Sequence, residues 1–565
     1  MADNPTPMQI VQSAYEKLKE QHQDSPDELQ KAVKDTWDIR SSLEDKLEGS
    51  IEEFETLQKI PHLNRIESEE DLRQLDGQLV RFSGFIQDMI DQDFFVGFFM
   101  TTPGDMGTGI PNKYMQLGDN ELEEVEDKAF EYCQQNYTMN RGNLIATSIP
   151  NENKWVREKR EIENGRFEEV AELLNIKVYD DLLDKFKMNK AYEFIGALEY
   201  RPLPKEVREE RAQAYAENGY LPPNIIPDMD KYPVLHLMAY LEHPYKNATK
   251  FWIDAPELDS DKISELRSKI LEVLLEILGG DELAAEYVFM TLLSRVTKRE
   301  DGIPVGISCI NLYSQEERAA EEICRGIERF MKLFQAHTFY APIDLESLNS
   351  YDLIPKKNYD TNRLSRGGLQ ILNSTCALLD ETNMREGKTE SERILINMKA
   401  IASLVEEQTV RYNFQYHEQS FDCSCATIIV SAGRSIFKNA VAVPVTPTKT
   451  PNPDALNDLE EDFINNCRYY FNQVSRRGIE IPDECSNHIQ ERFVSARQEE
   501  DQALKDNEIS TKELGANTLH TWLTYSKLKL ASSGQTQLTG DIVDTVINLE
   551  SERSRKVKNI RSASE

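Results

Sequence analysis

The stretch from Asn362 to Met384 reads Asn-Arg-Leu-Ser-Arg-Gly-Gly-Leu-Gln-Ile-Leu-Asn-Ser-Thr-Cys-Ala-Leu-Leu-Asp-Glu-Thr-Asn-Met. Its apolar run Cys376–Leu379 predicts a buried β-strand, and the carboxylate pair Asp380-Glu381 follows directly. In nucleotide hydrolases, two acids at the carboxyl edge of a parallel sheet hold magnesium and polarise water. Two acids after a strand are more often a solvated turn, so the pair acquires meaning only from its surroundings.

The segments on either side alternate between strands and helices. Upstream, Gly302–Leu312 predicts a strand and Arg318–Leu333 predicts a helix. Downstream, Ala426–Val430 predicts another strand. This alternation is typical of a doubly wound α/β domain with a parallel sheet.

The turn after the first of these strands lacks the residues that bind phosphate. Nucleotide-binding sheets carry glycines there, whose backbone N–H groups cradle phosphate, and a lysine that neutralises it. Residues Asn311–Arg318 read Asn-Leu-Tyr-Ser-Gln-Glu-Glu-Arg, without glycine or lysine. We therefore predict an ATPase-like sheet without a phosphate site, in which Asp380 and Glu381 are a vestigial pair. We expect no catalytic residue, no cofactor and no metal site.

Charge and cysteine content narrow the classes of function. The 565 residues suffice for two to four domains, and 99 acidic against 65 basic residues give a net charge of −34. A field of this sign repels a nucleic-acid backbone and suits a protein with protein partners, although a need for solubility explains it equally well. Among eight cysteines, only Cys423 and Cys425 are closely spaced, so no zinc-site spacing is present and a reducing compartment is the simplest interpretation. We expect no signal peptide and no membrane-spanning segment.

The first part of the chain predicts helices followed by a small barrel. Residues 1–75 predict a helical cap and residues 76–200 an antiparallel, OB-like barrel. We expect it to open with a hairpin of Leu79–Ile90 and Phe94–Phe99 around a turn at Asp91–Asp93. The segment Ile176–Leu198 is expected to close it.

Two features of the predicted barrel bear on its shape and surface. Glycines inside strands mark bends or bulges, so we expect at least one of Gly84 and Gly196 to lie where no side chain is tolerated. The phenylalanines at 94, 95, 98 and 99 are compatible with a base-stacking platform. A role in the core or in a protein interface is the alternative that the acidity of the chain favours.

The remaining boundaries follow from prolines and basic clusters. Prolines between residues 201 and 232 predict a linker. We expect an α/β domain over residues 233–451, a helical lid over 452–550 and a basic tail over 551–565. The cluster Lys154–Arg160 and the basic tail are each compatible with a nuclear targeting signal or with solvated surface.

Four segments resemble the MCM-binding protein family, whose members bind the minichromosome maintenance (MCM) replicative helicase. The segments are Arg81–Phe99, Ile176–Ile195, Leu283–Arg299 and Tyr359–Glu381. Their most specific motifs are Phe85-Ile-Gln-Asp-Met89, Leu283-Ala-Ala-Glu-Tyr287, Tyr359-Asp-Thr-Asn-Arg-Leu364 and Ser431-Ala-Gly-Arg-Ser435.

The predicted order of barrel, helices, sheet and lid is also similar to that of an MCM subunit itself, with a degenerate AAA+-like domain. The departures concern the motor: the phosphate loop is missing and the strand Ala426–Val430 is not followed by the usual sensor asparagine. Residues Ala440–Thr448 stand where the helicase carries its arginine finger, and the barrel lacks the helicase's zinc cysteines.

The resemblance implies a non-catalytic binding partner, or chaperone, of MCM helicase subunits in DNA replication. It would act in helicase assembly, protection, loading or unloading. We expect a nuclear location with a cytoplasmic pool. Because of the acidity of the chain we expect no direct sequence-specific nucleic-acid binding and only indirect contact with chromatin, and its hydropathy predicts no membrane association. Two alternatives stay open: an ATPase with an unusual phosphate loop that uses Asp380 and Glu381, and a single-strand binder that uses the barrel phenylalanines.

Overall fold

The computed structural model of the chain describes most of its residues. They are 4–23, 25–115, 117, 125, 127–160, 166–202, 232–242, 250–359, 363–385, 387, 391–438, 441–505 and 514–564. Most of the predicted linker 201–232, short parts of the predicted barrel 76–200 and Asn362 lie outside these residues. Within them, the chain forms a closed barrel, a five-stranded sheet, a four-stranded sheet and two two-stranded ribbons.

Short helices at the N-terminus cover one side of the barrel. They are Pro7–Gln21, Pro26–Ala32, Ile39–Leu47, Phe54–Gln58 and Glu69–Gln74, with a 3-10 turn at Leu63–Arg65. The first begins at a capping box, in which the Thr6 side chain accepts a hydrogen bond from the Gln9 N–H. Their apolar residues, such as Val11 and Trp37, share one buried cluster with Ile195 of the barrel. Burial of this shared face attaches the helices to the barrel.

Five of the first seven strands close the barrel, in the order β1-β4-β5-β7-β6. The seven are β1 (Leu79–Val96), β2 (Phe98–Met100), β3 (Gly109–Pro111), β4 (Thr138–Thr147), β5 (Leu174–Val178), β6 (Ala191–Glu199) and β7 (Val234–Leu241). Between them lie the helices Asp127–Tyr137, Lys154–Lys159 and Arg166–Ala171 and the 3-10 turns Met106–Thr108 and Leu182–Lys185. A closed barrel is thus present, and its likeness to an OB-fold stays a prediction.

The hairpin predicted around Asp91–Asp93 is wrong. β1 runs without a turn from Leu79 to Val96 and pairs with β4 and β6 instead of with Phe94–Phe99. Register shifts between Ile86 and Asp88 and between Ile90 and Asp93 bend the strand. Bulges of this kind let one long strand follow the curvature of a barrel.

The predicted boundary between residues 232 and 233 is also wrong. β7, which was expected to open the α/β domain, lies between β5 and β6 and closes the barrel. The segment Ile176–Leu198 therefore contributes two barrel strands without closing the barrel alone. A cut in the predicted linker would remove a barrel strand.

Gly196 confirms the prediction about glycines in the barrel. The pairing of β6 with β7 shifts register between Ile195 and Gly196. A Cβ atom at Gly196 would collide with the carbonyl oxygen of His236, which is backbone and cannot rotate away. The absence of a side chain at this position lets the two strands approach each other.

The second half of the chain contains the predicted parallel sheet, with strand order β11-β14-β17-β10-β18. Every neighbouring pair in it is parallel. The strands of this half are β8 (Lys298–Glu300), β9 (Ile303–Val305), β10 (Cys309–Tyr313), β11 (Thr338–Pro342), β12 (Lys356–Asn358), β13 (Arg363–Ser365), β14 (Thr375–Glu381), β15 (Thr409–Asn413), β16 (Glu418–Asp422), β17 (Cys425–Ser431) and β18 (Val441–Pro444). Its helices are Lys250–Ile253, Ser260–Ile277, Glu282–Leu293, Glu317–Phe334, Leu345–Ser350 and Glu392–Ala402, the last continued by a π-helical turn at Ser403–Glu407.

Four helices follow the sheet, and all but the second of them contribute residues to its core. They are Glu461–Val474, Asp483–Lys505, Ala516–Ser532 and Gly540–Ser564. Tyr470, Phe471 and Tyr525 lie in one buried cluster with Phe289, Leu312 and Phe330 of the α/β part. No helix of the described residues is long and apolar enough to cross a membrane.

The separate basic tail predicted for residues 551–565 is wrong. The helix Gly540–Ser564 continues through nearly all of it. The Arg553 guanidinium donates a hydrogen bond to the Ala442 carbonyl at 3.0 Å, and the Lys556 ammonium lies 3.1 Å from the Asp281 carboxylate. These basic residues therefore hold the last helix against the α/β domain.

Buried polar contacts join the barrel to the second half. The Asp88 carboxylate on β1 lies 3.2 Å from the Lys357 ammonium on β12 and accepts a hydrogen bond from the Leu364 N–H at 3.2 Å. The Gln370 side chain donates to the Gln87 carbonyl at 3.1 Å. Burial makes an unpaired polar group costly, so these pairs stabilise one arrangement of the two halves.

Candidate functional site

The carboxyl ends of β10, β14 and β17 meet at one edge of the parallel sheet. Glu381 pairs in register with Ser431, and Ser431 pairs in register with Tyr313. This edge is where open α/β sheets bind their ligands. It brings together the predicted acidic pair and the loops that follow β10 and β17.

The carboxyl group of Glu381 is nearly completely buried, with 4% of the residue exposed. Its Oε1 accepts a hydrogen bond from the Ser435 hydroxyl at 2.9 Å. Burial raises the pKa of Glu381, and the hydrogen bonds from Ser435 and the Ile436 N–H lower it. Burial is the larger effect, and the resulting pKa is about 7. A carboxyl group in this environment is a structural hydrogen-bonding group at neutral pH.

Asn311 extends this hydrogen-bond network to the first strand of the sheet. Its fully buried side chain donates to the Ser431 hydroxyl at 2.6 Å and accepts from the Ser435 N–H at 3.1 Å. Ser435 therefore bridges Asn311 and Glu381. This role of Asn311 was not predicted from the sequence. The available signal was an amide inside an apolar strand, because such a group must find hydrogen-bond partners.

The Asp380 carboxylate is likewise engaged by protein donors. It accepts a hydrogen bond from the Tyr340 hydroxyl at 2.8 Å. The N–H and the hydroxyl of Thr382 donate to its other oxygen at 3.0 and 2.6 Å. These bonds occupy both oxygens that a hydrolase would direct at magnesium.

Acidic side chains occupy the position of a phosphate loop. The helix Glu317–Phe334 begins after β10, and its N-terminus would attract an anion. Glu316 precedes the helix, and the Glu317 carboxylate lies 2.7 Å from the Arg385 guanidinium. Because acids stand where phosphate would bind, the residues of this edge do not fit magnesium-nucleotide. The described residues contain no group of three or more His, Cys, Asp or Glu side chains that could hold a metal.

The barrel phenylalanines do not form one surface. Phe98 and Phe99 are buried beneath the N-terminal helices, whereas Phe94 is 75% exposed. Phe95 packs edge-on against Tyr179, with ring centroids 5.3 Å apart. A stacking platform requires neighbouring rings that face solvent. The arrangement agrees with the core role that the acidity of the chain favoured.

Comparisons with known proteins identify relatives that align with half or more of this chain. A relative from Salmo salar is 28% identical over 65% of this chain and 59% of its own length. A relative from Arabidopsis thaliana is 25% identical over 85% of this chain and 88% of its own. One from Dictyostelium discoideum is 29% identical over 50% of this chain and 40% of its own. All three carry the name mini-chromosome maintenance complex-binding protein.

The family predicted from the four resembling segments is confirmed by a match between this chain and the sequence model of the family. The model of the family described as mini-chromosome maintenance replisome factor matches residues 47–175 and 168–557. The match therefore includes the barrel, the parallel sheet and most of the C-terminal helices. The chain belongs to the mini-chromosome maintenance replisome factor family.

Proposed function

We propose that this chain binds subunits of the mini-chromosome maintenance (MCM) complex and acts in DNA replication. The observation that carries the proposal is the shared name of its relatives, of which the Arabidopsis protein aligns with 85% of this chain. That name states that those proteins bind the MCM complex. The chain spans 59% of the salmon relative's length. The identity of the partner is therefore inferred from membership of the family and not from this one relative.

The sheet edge supports a binding role over a hydrolytic one. Hydrolysis of ATP requires a phosphate cradle, a metal-binding acid and a residue that positions water. At this edge, Glu317 pairs with Arg385, Asp380 accepts from Tyr340 and Thr382, and Glu381 accepts from Ser435. We therefore propose that the chain is not an enzyme and that its acidic pair stabilises the fold.

The architecture supports the predicted relation to a degenerate AAA+-like domain. All five strands of the sheet are parallel, and β10, the first of them in chain order, lies in the interior between β17 and β18. The acidic pair ends β14, the third strand in chain order. We propose that the barrel, this sheet and the four C-terminal helices are the OB-like, AAA+-like and lid parts of one scaffold that has lost its motor residues.

Mass action describes how such a partner would act. A protein that binds only the folded form of an MCM subunit stabilises that form, and it excludes other subunits from the surface it covers. The net charge of −34 would speed encounter with a basic subunit surface. This supports roles in protecting subunits and in helicase assembly, loading or unloading.

We further propose a nuclear location, as a role in DNA replication requires. Two basic clusters are candidates for a nuclear targeting signal. In the C-terminal cluster, Arg553 and Lys556 contact Ala442 and Asp281 of the α/β domain. In the cluster Lys154–Arg160, Arg160 is buried and pairs with Glu152 at 2.6 Å, whereas the side chain of Lys154 is 83% exposed. The exposed part of this second cluster is the better candidate for recognition by an import receptor.

A pull-down experiment tests the proposed partner. The tagged full-length chain is incubated separately with each purified MCM subunit, and the retained subunit is quantified at low and at moderate salt. We expect retention of at least one subunit above the level of a tag-only control. Retention of none would overturn the proposal.

A further inference from the structure

A cavity of about 550 Å³ lies at the amino ends of the sheet strands, opposite the edge that carries Asp380 and Glu381. It adjoins the start of β14 at Thr375, the residue Tyr192 of barrel strand β6, and Phe471 of the helix Glu461–Val474. Its volume lies within the range of small-molecule sites in proteins. Its position at a junction between domains is also typical of such sites.

The charge of this cavity is opposite to that of the chain. Its lining contains the cationic residues Lys190, Arg295, Arg468 and Arg476 and one acid, Glu242, which is exposed. The whole chain has 99 acidic against 65 basic residues. A positive cavity in an acidic protein concentrates anions at one place.

Arg295 and Arg476 have no acceptor for their guanidinium groups within the described residues, in contrast to Arg468. The Arg468 guanidinium donates to the Leu333 carbonyl and to the Asn465 side chain, both at 3.0 Å, and stacks over the Trp155 ring at 4.3 Å. Burial lowers the pKa of Arg295, and the neighbouring charge of Arg476 lowers it further. Partial desolvation also lowers the pKa of Arg476, although the residue as a whole is exposed. Arg295 is half-buried and Arg476 is exposed, so a ligand in the cavity can reach both guanidinium groups. Two adjacent cations without a counter-ion repel each other, and an anion between them would offset that repulsion.

Gln335 supplies a third donor without a partner. Its side chain lines the cavity, and its Nε2 atom is buried without a hydrogen-bond acceptor among the described residues. The Gln335 carbonyl accepts hydrogen bonds from the Asn153 side chain at 2.7 Å and the Trp155 indole at 3.1 Å. These bonds fix the backbone that carries the free amide.

We propose that this cavity binds a small organic anion whose oxyanion is held by Arg295, Arg476 and Gln335. Guanidinium groups bind phosphate and carboxylate oxygens through pairs of parallel N–H donors. The apolar walls, which include Trp155, Trp252 and Phe334, are suited to an aromatic body. The ligand is therefore an aryl phosphate ester or an aryl carboxylate.

Calorimetry and thermal melting of the full-length chain test this site with defined probes. Phenyl phosphate and phenylacetate present the two oxyanions on one aromatic body, and benzyl alcohol presents the body without charge. We expect at least one of the two anions to bind saturably and to raise the melting temperature, and benzyl alcohol to do neither. The anion that binds more tightly identifies the chemical class of the ligand.

Variants of the two arginines show whether binding occurs in this cavity. Arg295→Gln/Arg476→Gln and the single variant Arg476→Gln should each bind the probe about tenfold more weakly or worse, since each removes a charge-assisted contact. Arg318→Gln, at an exposed position outside the cavity, should bind like wild type. Without ligand, both cavity variants should melt at or above the wild-type temperature because a repulsion is removed.

Three results would overturn the proposal. They are no binding of either anion to wild type, wild-type affinity in a folded cavity variant, and binding of benzyl alcohol as tight as that of the anions. If the double variant does not fold, the single variant and the wild-type probe series decide the outcome.

Discussion

The Ser435 hydroxyl donates a hydrogen bond to the Glu381 carboxylate at 2.9 Å, while the Ser435 N–H donates to the Asn311 side chain at 3.1 Å. Ser435, which lies in the loop after β17, thus connects the carboxyl end of β14 with Asn311, near the carboxyl end of β10. In a nucleotide hydrolase, these ends act on magnesium and phosphate. Here they are bonded to each other, which gives this edge a structural role.

We expect no magnesium-ATP binding at this edge, because the segment Asn311–Arg318 lacks glycine and lysine and Glu317 stands at the helix N-terminus. Isothermal calorimetry with magnesium-ATP, together with a phosphate-release assay, measures this. Glu381→Gln, a change that traps ATP in active hydrolases, should alter neither result. Micromolar binding that survives Arg295→Gln/Arg476→Gln but changes with Glu381→Gln would contradict the prediction.

Glu381→Gln should stabilise the protein at alkaline pH. The folded-state pKa of Glu381 is raised from 4.5 to about 7, so its favourable contribution is complete below pH 4.5 and is lost as pH rises through 7. Glutamine resembles the protonated form at every pH and can still accept from Ser435. Compared with wild type, the variant should gain about 2–3 kcal/mol in unfolding free energy between pH 5 and pH 8.

Urea unfolding of both proteins at these two pH values measures that gain. Glu321→Gln, at an exposed position on the helix Glu317–Phe334, is the matched control and should change the unfolding free energy equally at both pH values. An equal effect of Glu381→Gln at pH 5 and pH 8 would show that Glu381 does not titrate as a buried group.

Gly196→Val should destabilise the barrel by about 1–3 kcal/mol, because the new side chain meets the His236 carbonyl. Gly84→Val should also destabilise, since a Cβ atom there meets the Phe82 ring and the Thr147 carbonyl. Gly478→Ala is the control, as its Cβ would meet nothing within 4 Å. Thermal melting compares the three variants with wild type. Unchanged melting of Gly196→Val would refute the close approach of β6 and β7, and unchanged melting of both barrel variants would refute the tight packing at both glycines.

The buried ion pair of Arg81 and Glu193 provides a test of barrel energetics. The two side chains are 1% and 0% exposed and lie 3.0 Å apart. Burial opposes ionisation of Glu193, but the His62 ring 3.6 Å away, the charge of Arg81 and the hydrogen bond that the Ser83 hydroxyl donates lower its pKa to about 2. Arg81→Met leaves this carboxylate unpaired and should cost about 3–5 kcal/mol.

The double variant Arg81→Met/Glu193→Leu should recover much of that loss, because it removes both charges. A double-mutant cycle in urea measures the coupling between them. Additive effects of the two single changes would mean that the pair contributes no coupling.

The strands that the sequence predicted correctly are those whose signal is local. β10, β14 and β17 are short apolar runs between polar segments, and each is buried along its length. Asp91–Asp93, in contrast, has the composition of a turn but continues β1. The reason is long-range: the Asp93 carboxylate pairs with Arg141 on β4 and Lys177 on β5, at 3.0 and 2.9 Å.

The same distinction explains what could be predicted of the sites. The acidic pair and the missing phosphate loop are contiguous in sequence and were found there. The hydrogen bonds of Glu381 depend on Ser435 from another strand connection. Likewise, Arg295 and Arg476 meet in one cavity only because the C-terminal helices pack on the amino ends of the strands. Residue spacing contains no signal for such encounters.

Calorimetric titration of each purified MCM subunit with the full-length chain, as wild type and as Glu381→Gln, tests the central claim most directly. The claim is that this chain is an MCM-binding protein whose acidic pair is structural. We predict saturable binding of at least one subunit, with the same affinity for both forms of the chain. Binding of no subunit, or binding that Glu381→Gln abolishes in a folded protein, would contradict the account.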